Sequence, residues 1–440
     1  MSKLYIRTFG CQMNEYDSER IASVFAERGY DLTDNIKEAD FAVINTCSVR
    51  EKPYHKVESE LGRLKFMKRN KPNFKIAVCG CVAQQDGEKF LDRFDYVDLV
   101  FGTSAINRLH SLLDLVEQGE RVCDVNEAED ELSIPVFARE KKVSAFVTIM
   151  KGCDNFCSYC IVPYVRGREK SRKPDEILDE VKYLVDNGVK EVTLLGQNVN
   201  SYGKNLDETI TFAELLYKVH EINGLERLRF VTSHPKDFGD DLIFAIRDLP
   251  KICEYLHLPL QAGSSRILKL MNRKYSYEEY RDKVLKAKEM IPDLALSSDF
   301  IVGFPGETED DFEMTLKALE EIRYESIFAF KYSPRPKTKA SMWEDDVSEE
   351  EKSRRLDEVL KLQSKITEEI NKSYVGKVQE ILVEGVSKKD KNVFSGRNRQ
   401  NKVVNILSNY KLNIGDIVTV EITEAKKNSL LGRVVEYAGR

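Results

Sequence analysis

Cys153-Asp154-Asn155-Phe156-Cys157-Ser158-Tyr159-Cys160 sets three thiols within eight residues. The gaps, three residues and then two, let one tight loop place three sulfurs around a single small object. A closed tetrahedral zinc site takes four ligands, so three thiols fall one short. A cubic [4Fe–4S] cluster on three cysteines keeps one iron free of protein and open to a substrate or cofactor. A structural zinc loop is the alternative. The sole further Cys or His within 35 residues on either side is Cys123, 30 residues upstream.

Outward from this loop, residues 143 to 332 alternate strand and helix patterns. Strands are expected at 145–150, 191–195, 228–232, 255–258, 295–302 and 326–332. Helices are expected at 174–187, 211–221, 240–248, 277–289 and 309–322. Six such units suggest a partial (βα)6 barrel, whose site lies at the carboxyl ends of its strands. The cysteine loop follows the first strand, at that end. Loops after later strands carry Gln197 and Asn198, Ser233 and His234, and Gly303, Gly306 and Glu307. Singly, each is as readily a cap or a turn. As a set at one mouth they are better explained by a bound cofactor. His234 and His257 are candidate bases. The run 166–173 holds five cations against one anion, so Arg166 and Arg168 are candidate RNA-phosphate contacts, with a solvated loop as the alternative.

The first 120 residues also alternate, with strands expected at 4–8, 41–46, 74–79 and 97–101 and helices at 17–27, 53–68 and 83–94. That order predicts a doubly wound parallel sheet. Cys11, Cys47 and Cys81 each lie just past the end of a strand, the edge where open α/β sheets build sites. Three adjacent strands would gather them into a second three-thiolate set; buried apolar cysteines are the alternative. Cys79 continues an apolar run and is assigned to the core. Residues 121–142 read as an acidic linker, with Cys123 incidental.

Residues 345–374 form a charged helical stretch, and strands at 378–384, 393–396, 403–406, 417–424 and 430–436 suggest a small β-barrel. The expected domains are thus 1–120, 143–372 and 373–440, an α/β protein with a β-barrel appended. Residues 375–440 carry 12 Lys and Arg against 7 Asp and Glu, a net of +5, which leaves −11 on the rest of a chain of net charge −6. A basic module on an acidic body can confine a polyanion, and Arg397, Arg399 and Lys402 could form a basic rim for RNA. An odd count of nine cysteines argues against a secreted disulfide scaffold. No apolar run approaches the ~18 residues a membrane span needs and no signal-peptide h-region opens the chain, so a cytoplasmic protein with no membrane partner is expected.

The loop with its aromatic before the last cysteine, the trio opened by Gly10-Cys11-Gln12-Met13-Asn14, and the basic barrel together resemble the methylthiotransferases of the radical S-adenosylmethionine (SAM) superfamily along the whole chain. Gln12-Met13-Asn14 resembles the branch acting on N6-dimethylallyladenosine rather than those acting on threonylcarbamoyladenosine or a ribosomal protein. The resemblance implies two [4Fe–4S] clusters, on Cys153, Cys157 and Cys160 and on Cys11, Cys47 and Cys81. It implies SAM as radical source and methyl donor, and a C-terminal TRAM module that binds RNA. The implied substrate is tRNA, modified at C2 of a prenylated adenosine in the anticodon stem-loop. The implied reductant is one such as flavodoxin, and the sulfur donor is left open. An aromatic C–H has no useful acidity, so cofactor-borne radical chemistry must take the hard step. The base must also be unstacked to reach it.

Overall fold

The computed structural model describes residues 2–48, 51–126, 142–387 and 393–436, with side chains for all of these but 51–56. The chain starts as β1 (Ser2–Thr8), α1 (Gln12–Glu27), β2 (Tyr30–Leu32), β3 (Phe41–Thr46), α2 (Glu51–Asn70), β4 (Lys75–Gly80), α3 (Cys81–Asp86), α4 (Glu88–Arg93), β5 (Leu99–Phe101), α5 (Leu109–Glu117) and β6 (Val122–Asp124). The six strands form one parallel sheet in the order β2-β1-β3-β4-β5-β6. Alternate residues of each strand feed two cores. Phe41, Val43 and Cys79 pack under α1 and α5, while Ala42, Ile44 and Val78 pack under α2 and α3. Covering both faces is what a parallel sheet requires. The helix expected at 83–94 is two, broken at Gly87, whose φ of 51° suits glycine. The sheet continues past residue 120, because β6 lies inside the expected linker and carries Cys123. Most of that linker, 127–141, lies outside the described residues.

The centre comprises β7 (Ser144–Thr148), β8 (Met150–Lys151), α6 (Val162–Arg166), β9 (Lys170–Ser171), α7 (Pro174–Asp186), β10 (Glu191–Leu195), α8 (Phe212–His220), β11 (Arg227–Phe230), α9 (Asp240–Asp248), β12 (Tyr255–His257), α10 (Ser265–Leu270), α11 (Tyr277–Met290), β13 (Ala295–Val302), α12 (Glu309–Ile322) and β14 (Ser326–Lys331). Two parallel three-stranded sheets, β7-β10-β11 and β12-β13-β14, are joined by a bridge between Leu228 and Ile252. The result is six parallel strands in chain order around one large apolar core. The short antiparallel pair β8–β9 frames the cysteine loop. From α1, Met13 and Tyr16 pack on Phe146, Leu195 and Val231, seating the first domain on the barrel.

The helix α13 (Glu349–Ser373) leads to β15 (Val378–Val386), β16 (Phe394–Asn398), β17 (Val403–Leu407), β18 (Ile417–Ala425) and β19 (Leu430–Glu436), a closed barrel ordered β15-β16-β17-β19-β18. Among the described residues no helix is long and apolar enough to cross a membrane.

The small barrel docks where β10 and β11 begin. Arg227 and Arg229 are buried there and donate to the carbonyl oxygens of Arg397, Asn398 and Arg399 at 2.7–2.8 Å. Glu191 holds Arg229 at 2.8 Å and Glu380 holds Arg227 at 2.8 Å. This corrects two expectations. Arg399 forks onto Glu254 at 2.7 and 2.8 Å, and Lys402 is buried against Glu325 at 2.8 Å and Asn371 at 2.6 Å. Both cations are consumed between domains, because a desolvated charge must find a counter-charge. Arg397 sits near its own barrel's Glu384 and Asn401, half-exposed. Replacing Glu254 with alanine removes a charged hydrogen-bond acceptor and is expected to cost about 1.5–3 kcal/mol. Faster trypsin cleavage around 374–377 would report the loosened docking.

Candidate active site

The cysteine loop is held from three sides. Gly152 turns it with φ 79°, where a Cβ would lie 2.0 Å from the Arg168 carbonyl oxygen. The Gly152 N–H donates to Gln197 Oε1 at 2.5 Å, so Gln197 positions the loop. Ser158 donates through N–H to Met271 O at 3.0 Å and through Oγ to Leu270 O at 2.9 Å. Asn272 Nδ2 donates to Phe156 O at 3.0 Å. Arg273, which nothing in the local pattern singled out, is buried and donates to Cys157 Sγ at 3.4 Å. Its other nitrogens are fixed by the Tyr275 hydroxyl at 2.8 Å and Pro259 O at 3.0 Å.

Burial, with the charge of neighbouring Cys157 adding to it, pushes the Cys153 thiol up to about 11 and the Cys160 thiol up to about 12. A metal bound here must displace their protons.

The strands that precede the second set are neighbours, as the strand order predicts. Cys11, Cys47 and Cys81 follow β1, β3 and β4, three neighbours in the sheet. Cys11 caps α1 and Cys81 opens α3. Gly10, at φ 141°, lies so close that a Cβ would come within 2.7 Å of Cys47 Cβ. Gly80 leaves room for the Thr46 carbonyl, 2.3 Å from where its Cβ would be. Asn14 and Asn45 lock the strand ends together: Asn14 Nδ2 donates to Asn45 Oδ1 at 2.9 Å and Thr46 O at 2.8 Å, and Asn45 Nδ2 donates to Asn14 O at 2.8 Å. Asn14 and Asn45 lie three and two residues from Cys11 and Cys47, yet only the tertiary fold reveals their pairing.

The helix α6, which starts two residues after Cys160, lies against Cys81 of the second set. Cys81 packs on Ile161 and Val165. Arg166, expected to touch RNA, is instead buried across the domain boundary, with Nη2 2.8 Å from Asp17 Oδ2 and 3.5 Å from Asn14 Oδ1. Burial opposes its charge, but Asp17, Cys81 and Cys11 outweigh that and raise its pKa. Arg168 is exposed and pairs with Asp154 at 2.7 Å.

At the barrel mouth the buried polar atoms Asn198 Oδ1, Ser233 Oγ, His234 Nε2 and Glu307 Oε1 lack partners. His234 Nδ1 accepts from Lys236 N at 3.2 Å, so the orphan Nε2 carries the proton. Burial, with Arg273 and Lys236 adding repulsion, holds its pKa far below the usual histidine range, so the ring is neutral. Buried polar atoms are ordinarily satisfied, and this group of donor and acceptors matches a polar ligand. In the loop after β13 only the other carboxylate oxygen of Glu307 is engaged. Glu307 Oε2 accepts from Gly303 N at 2.6 Å and Arg355 Nη1 at 2.8 Å. A Cβ on Gly303 would lie 2.2 Å from Lys352 Cγ. Gly303 therefore makes room for α13. Gly306, at φ 80°, donates its N–H to Asp346 at 2.7 Å. His257 Nδ1 lies 2.8 Å from Ser297 Oγ, inside the barrel wall.

Among the described residues no three His, Cys, Asp or Glu side chains converge on one ion-sized point. Thiol trios without a fourth protein ligand match the donor chemistry of [4Fe–4S] clusters.

A partial (βα)6 barrel with this loop past its first strand defines an enzyme of the radical SAM class. Residues 147–319 match the Radical SAM superfamily, 3–102 the Uncharacterized protein family UPF0004, and 372–435 the TRAM domain. The chain is similar to the tRNA-2-methylthio-N(6)-dimethylallyladenosine synthase of Acetivibrio thermocellus, at 52% identity over 98% of this chain and 91% of that one. The protein of the same name from Clostridium botulinum is 50% identical over 98% and 95%. The chain belongs to the tRNA-2-methylthio-N(6)-dimethylallyladenosine synthase family. In fold it resembles the radical SAM methyltransferase TsrM of Kitasatospora setae, with a TM-score of 0.61 at 13% identity over 78% of this chain and 75% of that one. Membership of the superfamily implies a [4Fe–4S] cluster and SAM.

Proposed function

We propose that this protein adds a methylthio group to C2 of N6-dimethylallyladenosine beside the anticodon of tRNA. The observation that carries this reading is near-full-length identity of about half to relatives bearing that activity in their name. Cys153, Cys157 and Cys160 would hold the SAM-binding cluster, and Cys11, Cys47 and Cys81 a second. When bound, these groups and SAM supply a 5′-deoxyadenosyl radical to abstract the C2 hydrogen, and the sulfur and methyl that replace it.

The chain's own residues do the positioning. Gln197 and Asn272 shape the first thiol loop, and Arg273 donates to one of its sulfurs. Asn198, Ser233 and His234 offer unpaired polar atoms where SAM would lie. Arg166 and Asp17 fasten the two thiol sets to one frame. Arg168 and the small basic barrel would meet the tRNA. A one-electron reductant such as flavodoxin would feed the first cluster, and the cytoplasm, where tRNA is found, would house the enzyme.

Nucleoside mass spectrometry of tRNA from a deletion strain tests the reading. Loss of 2-methylthio-N6-dimethylallyladenosine, with the unthiolated nucleoside accumulating, is expected. An unchanged nucleoside pool would defeat it and turn attention to threonylcarbamoyladenosine or a ribosomal protein.

A further inference from the structure

We propose that Phe156, Tyr164 and Arg168 form a stacking platform for an unpaired base of the anticodon loop, next to the groove through which the target adenosine enters. This rests on the tRNA reading above and adds to it the residues that grip the RNA at the mouth.

Phe156 lies inside the cysteine loop yet is 39% exposed, and Tyr164 on α6 is 37% exposed. Their ring centroids are 6.4 Å apart at 84°, an edge-to-face pair. The Arg168 guanidinium lies 5.3 Å from the Phe156 centroid, and Asp154 steadies it. Phe156 adopts φ 45°, uncommon for a bulky residue, and Asn272 holds its carbonyl there. Such a conformation persists only where the surroundings impose it, and it gathers at functional sites. Here it turns a large apolar ring toward water, where it lacks the burial that would stabilise it in the fold.

The position supplies the reason. An open groove of about 300 Å³ is lined by Asp154, Asn155, Glu169, Asn205 and Lys274 among others. Phe156 directly follows Asn155 and Arg168 directly precedes Glu169, so the platform flanks the groove. Lys204, Lys236 and Lys274 line the groove against Asp154 and Glu169, with Lys170 exposed beside it, a positive balance that complements a phosphate backbone. Aromatic faces with a cation across them suit a nucleobase, and every base has a π-face to offer. A peptide substrate gains no comparable stacking. Flipping one base out of a loop leaves its neighbour unstacked, and a ring at the entrance restores that contact.

The test is anaerobic fluorescence anisotropy of the full, iron-loaded chain with an anticodon stem-loop RNA carrying N6-dimethylallyladenosine, at fixed salt. Phe156→Ala and Tyr164→Ala are each expected to weaken binding by about 5- to 150-fold, while Phe156→Tyr keeps wild-type affinity. Phe156 adjoins Cys157, so iron per chain is measured for every variant. Tyr164→Ala, outside the loop, carries the test if Phe156→Ala loses iron. Wild-type affinity in Tyr164→Ala and in an iron-replete Phe156→Ala overturns the platform alone. Failure of the wild type to bind this RNA, with tight binding to a ribosomal protein instead, overturns the proposed substrate and the platform with it.

Discussion

Replacing Cys157 with alanine is expected to reduce 5′-deoxyadenosine release to the enzyme-free background. Cys157 is the middle thiol of a loop that offers three, and the sulfur that Arg273 contacts. Its loss leaves two thiols, too few to hold a cubic cluster with one open iron. Cys47→Ala is expected to behave differently. Cys47 follows β3 in another domain, and the Gly152–Cys160 loop is held by Gln197, Met271, Leu270 and Asn272, none of which depends on it. Anaerobic incubation with SAM and a reductant should therefore still yield 5′-deoxyadenosine from this variant, while mass spectrometry of the tRNA product finds no methylthio group. Loss of both activities in Cys47→Ala would contradict two separable thiol sets.

The second large effect is expected from Asp17→Ala. Asp17 and Arg166 bind at 2.8 Å with side chains 6% and 4% exposed. The cavity beside them, between α1 and the barrel, has a volume of about 10 Å³, room for one water at most. Removing the carboxylate strands a buried guanidinium, which costs about 3–5 kcal/mol. Thermal denaturation followed anaerobically should show the N-terminal domain melting first. Adding Arg166→Met should recover most of the loss, because an apolar replacement of a buried pair is tolerated far better than half of it. A melting point equal to the wild type's in Asp17→Ala would show that the pair does not fasten the domains. These variants act on opposite links of the same chain of cause, since one removes a ligand and the other removes the frame that keeps two ligand sets together.

Much of the layout was legible in local pattern. The unbroken apolar run that opens Phe41–Thr46 reads as a strand covered on both faces, and every residue of it is buried. The helix at Asp240–Asp248 and the strand at Ala295–Val302 fall where the spacing predicts them. Breaks at glycine were harder to see. Gly87 divides a helix that reads as continuous, because its φ of 51° depends on how α4 must fold back on β5.

Charged residues show the limit most plainly. Arg166, Arg399 and Lys402 read as a basic surface, yet their partners are Asp17, Glu254 and Glu325, 149, 145 and 77 positions away. Arg168, two residues from Arg166, does face solvent. Nothing in their neighbours along the chain separates these cases.

What the sequence determined by itself was whatever short-range spacing controls: three thiols in one loop, cysteines placed at strand ends, and the order of strands and helices. Those follow from backbone geometry over a few residues, and no partner elsewhere can rewrite them. Only the tertiary structure decided which charges pair, which polar atoms of Asn198, Ser233 and His234 are left over, and that α6 adjoins both thiol sets. Burial and counter-charge are properties of space rather than of sequence distance, so they become fixed only when the domains close on one another.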